Sequence, residues 1–222
     1  MTSTLIKYAL KTTATLITFA LIWTLLLALV HKSTEAQIAA SEAEARLSLF
    51  RQIVPDTMHD NDLLNNVIKV PPSALLGNQE PIDIHIAKIN NKTSAIILEA
   101  IAPDGYSGNI KLLIGIRADG TLSGVRVLSH KETPGLGDYI DVTRGNWIKS
   151  FDNESLAKTA PALWNVKKDD GKFDYMAGAT ITPRAVVKAI FKALRYAKEN
   201  QAMLFFNTDE ANQAAADVLD SH

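Results

Sequence analysis

Asp174-Tyr175-Met176-Ala177-Gly178-Ala179-Thr180-Ile181-Thr182-Pro183 places a carboxylate, two threonine hydroxyls and two nearly bare backbone positions directly ahead of an amphipathic run, Arg184 to Asn200. Pro183 has a fixed φ and no N–H, which suits the first position of a helix, and Thr182 before it is a preferred N-cap. Ala185, Val186, Ala189, Ile190, Ala193, Leu194 and Ala197 recur at three- and four-residue spacing, with Arg184, Lys188, Lys192, Arg195 and Lys198 between them. The helix they predict has one buried stripe and one basic face. Gly178 and Ala179 leave the backbone open at a helix N-terminus, where free N–H groups and the positive dipole end attract anions, so Thr180 sits where a phosphate is welcome. On these residues alone two readings stand: a helix cap after a tight turn, and an anion site.

The elements that must position this stretch are strands. Ile82, Ile84 and Ile86 alternate with Asp83, His85 and Ala87, the period of a half-buried strand with His85 on its polar face. Ser94 to Ala102 is a longer apolar run. Ile110 to Arg117 and Leu122 to Ser129 flank Ala118-Asp119-Gly120-Thr121, a hairpin turn built on Asp-Gly. Between strands lies Ala102 to Asn109, where Gly105 and Gly108 allow the backbone to close on a ligand with Tyr106 as a wall, or simply to turn. His130-Lys131-Glu132-Thr133-Pro134-Gly135-Leu136-Gly137-Asp138 leaves the last strand as a loop whose backbone can lie flat against a neighbour. Glu132 by itself reads as a solvated side chain. No Ser or Cys nucleophile stands near His130, Lys131 and Glu132, which excludes a hydrolase centre there.

Composition narrows the class further. A net charge of −1 over 222 residues gives no basic surplus for nucleic acid. The chain has no cysteine, so disulfides, Cys-ligated iron–sulfur clusters and thioether-linked haem are excluded. His59 and Asp60 are solvated loop residues rather than a metal pair, and no metal site is expected. Thr12 to Val30 is uncharged and apolar; at about 1.5 Å per residue it reaches roughly 28 Å, against a ~30 Å hydrocarbon core. A cleaved signal peptide is the competing reading, but its apolar region is usually about 7–15 residues long and ends in a small-x-small site, and Ala28-Leu29-Val30 ends in valine. Lys7 and Lys11 before the span outweigh His31 and Lys32 after it, which predicts an N-terminus in the cytoplasm and a main domain outside, the periplasmic face of the cell inner membrane in a Gram-negative bacterium.

After the span, Ser33 to Arg51 reads as a juxtamembrane helix with a Glu42–Arg46 pair, ended by Pro55-Asp56. Asp60 to Asn66 reads as a short helical turn, and Val70 to Asn78 as an irregular connector. Trp147, Phe151 and Trp164 are packing residues, and Lys167 to Gly171 is a charged turn presenting Phe173 to Thr180. Met203 to Phe206 docks, and the tail beyond frays. The expected architecture is α+β, a small antiparallel sheet packed with helices and preceded by one transmembrane helix. Its parts are residues 1–32 as cytoplasmic tip and anchor, 33–80 as juxtamembrane and connector region, 81–206 as ligand-binding domain, and 207–222 as tail.

Asp-x-x-Ala-Gly-Ala-Thr followed by Ile-Thr, at Asp174 to Thr182, resembles the flavinylation motif of FMN-binding domains. Many members carry Ser or Thr where this chain has Ala177. Gly-Tyr-x-Gly at Gly105 to Gly108 and Glu-Thr-Pro-Gly-Leu-Gly at Glu132 to Gly137 resemble the other two signatures of that domain, in the same order. The similarity covers roughly residues 100–197, and with the single span the chain is similar to the RnfG/RsxG family, which serves Rnf (Rsx) ion-translocating electron transport complexes. The C subunit of sodium-translocating NADH:quinone reductases is the nearest alternative, though this chain is short for it. A non-redox, membrane-anchored binding or assembly module is the alternative from another class.

The resemblance implies FMN joined through a phosphoester to Thr180 by a separate flavin transferase, a membrane setting shared with other subunits of the complex, and an electron relay that turns over no soluble substrate alone. It implies flavin contacts from Gly178, Ala179, Thr182, Asp174, Tyr106, Gly108, Glu132, Thr133, Gly135 and Leu136. A threonine hydroxyl is a poor nucleophile without a positioned base, and Asp174 is the one carboxylate in the motif, so self-attachment is not expected.

Overall fold

The computed structural model describes residues 2–206. The Glu42 side chain, expected partner of Arg46, and the tail from residue 207 lie outside the described residues. The chain divides after Arg46 into two units. Helix α1 (Thr2–Ile53) runs through the first and ends in the second. The expected separate juxtamembrane helix is part of it: no Gly or Pro occurs between Thr2 and Ile53, so nothing interrupts the ladder. Pro55 is the first breaker, and the helix stops ahead of it because the residue before a proline is driven out of the helical region. Ile6–Glu35 is apolar and long enough to cross a membrane, with its large apolar side chains exposed.

The second unit is built on a five-stranded antiparallel meander, β1 (Val67–Val70), β2 (Ile82–Ile89), β3 (Lys92–Gly105), β4 (Gly108–Arg117) and β5 (Leu122–Ser129), each strand paired with the next. β5 has the bounds its sequence predicts; β3 and β4 run on to Gly105 and Gly108, leaving only Tyr106 and Ser107 as the turn. β1 lies between the predicted turn and the predicted connector, sharing only Val70 with the latter, and pairs Val67 with His85 and Val70 with Ile82. Four residues ahead of Pro71-Pro72 carry too little alternation to announce a strand, and the pairing comes from β2. The expected helical turn at residues 60–66 is a simple turn.

Both faces of this sheet are covered. On one, Ile96, Leu98, Ala100, Leu112, Ile114 and Ile116 pack against Val186, Ile190, Ala193 and Leu194 of α2 (Ile181–Glu199). A short helix α3 (Gln201–Phe205) follows and adds Leu204. On the other face Ala95, Ile97 and Leu113 meet Phe50, Ile53, Val54 and Leu63. This second layer is why His85 is buried rather than on a polar face. Its Nδ1 lies 2.8 Å from the Leu63 carbonyl, and its ring is 4.6 Å from that of Phe50. The last turn of α1 sits close because Gly115 and Gly124 face each other across β4 and β5; a Cβ on Gly124 would lie 3.0 Å from Ile53. Arg126 holds that turn by donating from Nη2 to the Gln52 carbonyl and from Nε to its side-chain oxygen.

The stretch after β5 is a chain of short 3-10 turns that closes the end of the sheet. Phe151 stacks on Phe173, with Trp164 beside it. Phe173 is therefore core rather than displayed, and the exposed part of the motif starts at Asp174. In the same region the buried carboxylate of Glu154 accepts from Thr159 Oγ1 and Lys172 Nζ, both at 2.6 Å, and pairs with Lys158 at 3.1 Å. Burial raises its pKa, but the hydrogen bonds from Lys172, Thr159 and Lys158 outweigh it and leave the group below its ordinary value. A depressed folded-state pKa stabilises above the unfolded value and is lost as pH falls through the folded one. The melting-temperature difference between wild type and Glu154→Gln is expected to be constant near neutrality and to shrink below about pH 4; a difference independent of pH down to acid unfolding would remove the carboxylate from this role.

Candidate functional site

Three loops far apart in sequence meet at one residue. Glu132, in the loop after β5, is 4% exposed, so the solvated reading does not hold. Its Oε1 accepts from the Ser107 N–H at 3.0 Å, in the β3–β4 turn, and its Oε2 accepts from Thr182 Oγ1 at 2.5 Å, in the first turn of α2. Gly105 and Gly137 make room for it: a Cβ on Gly137 would come within 2.8 Å of Oε2, and one on Gly105 within 3.0 Å of Oε1. The burial of a carboxylate is tolerated because both oxygens are hydrogen-bonded.

Thr182 is consequently not the N-cap. Helix α2 starts at Ile181, Thr180 occupies the capping position with helical dihedrals and no side-chain cap, and Pro183 falls at the third helical position. Proline fits there as well, since the N–H it lacks has no helical acceptor in that turn. The first turn of α2 contains no acidic residue, so its free N–H groups and dipole face the loop uncompensated. Among the described residues the Thr180 hydroxyl makes no hydrogen bond within the chain, whereas that of Thr182 is buried and engaged.

Around this junction lies a cavity of about 370 Å³ lined by Tyr106, Glu132, Thr133, Leu136, Gly178, Ala179, Thr180 and Thr182, with Gly137 and Ile181. That volume lies within the ~300–1,000 Å³ usual for small-molecule sites. Tyr106, Leu136 and Ile181 expose apolar surface at its mouth. Asp174, Gly108 and Gly135 do not line it. Asp174 is exposed and its carboxylate is paired with Lys167 Nζ at 2.5 Å. Gly108 and Gly135 shape the two loops through positive φ, and the Gly135 N–H donates to Asp138 Oδ1.

Two aromatic residues that sequence reading assigns to packing, or does not single out, hold the motif loop. Trp147 Nε1 donates to the Asp174 carbonyl at 2.8 Å, and the Met176 N–H donates to Tyr139 Oη at 3.3 Å. Burial pushes the Tyr139 phenol up, so it stays a neutral partner. A lone Tyr and a lone Trp in a loop carry no spacing signal, which is why only the structure shows their work.

The cavity has room for a small-molecule ligand. Its floor is backbone at a helix N-terminus with a free hydroxyl beside it, its rim is apolar, and its side walls are two glycine-bearing loops. Comparison with known proteins gives that shape a class: residues 105–195 match the FMN-binding domain, and residues 1–53 match the RnfG N-terminal region. The chain is 48% identical over 186 residues to the G subunit of the ion-translocating oxidoreductase complex of Pseudomonas aeruginosa strain UCBPP-PA14, covering 84% of this chain and 87% of the relative. The G subunit of Shewanella amazonensis is 46% identical, with 84% and 87% covered, and that of Aliivibrio fischeri strain MJ11 is 43% identical, with 87% and 92% covered. The chain belongs to the family of G subunits of ion-translocating oxidoreductase complexes.

Because Thr182 is the link between α2 and Glu132, Thr182→Val is expected to cost about 1–3 kcal/mol, the usual penalty for stranding a buried acceptor, and Thr182→Ser to restore most of it. Urea unfolding of the three proteins measures this. A valine variant as stable as wild type would show that the junction is held by other contacts.

Proposed function

We propose that this chain is a membrane-anchored flavoprotein subunit of an Rnf-type ion-translocating electron transport complex, carrying FMN through a phosphoester on Thr180. The observation that carries this reading is the contrast between two threonines two residues apart. Thr180 lines the cavity with a hydroxyl free of partners at an uncompensated helix N-terminus; Thr182 is buried and hydrogen-bonded to Glu132. The match to the FMN-binding domain supplies the ligand class, and the names of the relatives supply the complex.

Attached FMN supplies one-electron chemistry that no side chain here can. Thr180 would provide the acceptor oxygen, and the N–H groups of Ile181 and Thr182, without helical acceptors in the first turn of α2, would hold the single negative charge left on a phosphodiester. Tyr106, Leu136 and Ile181 offer apolar surface to a ring, and the Glu132 and Gly178 loops limit water on its inner side. The motif's carboxylate, Asp174, is held by Lys167, so the Thr180 proton leaves to a base outside this chain. A separate flavin transferase would meet that need, with Thr180 as the acceptor for the FMN half of FAD and AMP as the leaving group. Other subunits of the complex deliver and remove electrons, and α1 keeps the carrier beside them in the membrane.

Thr180→Ala is expected to abolish the covalent adduct with a stability change of about 1 kcal/mol or less, since no cap bond is lost. Intact-protein mass and in-gel flavin fluorescence read it out. An adduct retained in Thr180→Ala, or one lost only in Thr182→Ala, would move the site. The charge bias at Lys7 and Lys11 supports a domain after α1 on the periplasmic side of the inner membrane. Protease added to spheroplasts is expected to digest the domain; digestion confined to inverted vesicles reverses the orientation.

A further inference from the structure

Glu132 is the only charged side chain among the residues lining the cavity. It is buried, both its oxygens accept hydrogens from neutral donors, and no ion pair to it is formed among the described residues. Of its titratable neighbours in sequence, Lys131 is exposed and forms no ion pair with it, and His130 accepts the Glu132 N–H at Nδ1. The other acidic groups near the site are neutralised: Asp138 pairs with Arg144, Asp174 with Lys167, and Asp104 with Lys188. Glycine at 137 leaves room for this charge, since a Cβ there would lie 2.8 Å from Glu132 Oε2.

We propose that Glu132 sets the reduction potential of the bound flavin, its uncompensated negative charge opposing the arrival of an electron and so holding the cofactor at a lower potential than the cavity would otherwise give. This rests on the flavin occupying the cavity. In a reductive titration an added one-electron reductant is oxidised and the flavin gains that electron, so the charge beside Glu132 becomes more negative by one unit unless a proton accompanies it. Because the carboxylate itself is buried, water screens that repulsion less at short range than it would for a surface charge. Its hydrogen bonds keep the carboxylate aimed at the junction of the three loops, making it at once a positioning and a tuning residue.

The test is a spectroelectrochemical titration of full-length, flavin-loaded protein in detergent at fixed pH, comparing wild type, Glu132→Gln and Glu132→Asp. Glutamine keeps the shape and removes the charge. It is expected to shift the midpoint positive, changing the oxidised-to-reduced ratio at a given applied potential by on the order of tenfold, while aspartate keeps the negative charge and stays near wild type. A glutamine variant that is loaded and folded with an unchanged midpoint overturns the proposal, and so does an aspartate variant that shifts as far as glutamine, because that effect would follow geometry rather than charge. If Glu132→Gln does not load, exposed Thr133 decides: Thr133→Lys places a counter-charge beside Glu132 and is expected to sit positive of Thr133→Gln, and equal midpoints overturn the proposal. A wild-type chain that carries no flavin refutes the flavin reading itself, whereas loaded proteins with coincident midpoints refute only the role of Glu132.

Discussion

The hydrogen bonds that converge on Glu132 are the constraint on which the site depends. The β3–β4 turn, the loop after β5 and the start of α2 are separated by 25 and 50 residues, and one side chain ties them together. Each bond alone contributes about as much as any other neutral-donor bond to a carboxylate. Their combined effect is geometric. With Ser107 N–H on one oxygen and Thr182 Oγ1 on the other, the carboxylate fixes the spacing of the walls, and Gly105 and Gly137 keep that spacing free of side-chain bulk.

What lies behind the site is a sheet that cannot flex independently of its covers. α2 occupies one face, and the end of α1 with Leu63 covers the other at Ala95, Ile97 and Leu113. Beyond that cover the β3–β4 hairpin extends to a two-residue turn, Tyr106 and Ser107, tied back by the Ser107 N–H to Glu132. Arg126 contributes at the same junction, since its guanidinium meets the last carbonyls of α1, where the helix dipole favours a cation.

Much of this is legible in the sequence, and the parts that are not share a cause. The period of β5, the Asp-Gly turn, the amphipathic stripe of α2 and the three glycine-rich signatures are local patterns, and each appears where the residues place it. His85, Glu132 and Thr182 mislead in sequence because each is defined by a partner far along the chain. An alternating strand implies one wet face only when nothing covers it, and the residues that cover this one, Phe50 and Ile53, belong to the end of a stretch that reads as a juxtamembrane helix. A Thr before a Pro is a good cap until a buried carboxylate competes for its hydroxyl. β1 escapes notice for the opposite reason: it is too short to have a pattern of its own and exists because β2 offers it an edge.

The loop from Asp174 to Thr180 is secured at Asp174 and Met176 by an indole and a phenol, and its far end runs into α2, yet none of its residues belongs to either apolar cluster. The core closes at Phe173 and resumes at Ala185. The interior of the domain is therefore complete without this loop, and whatever engages the cavity meets a finished surface rather than a nascent one.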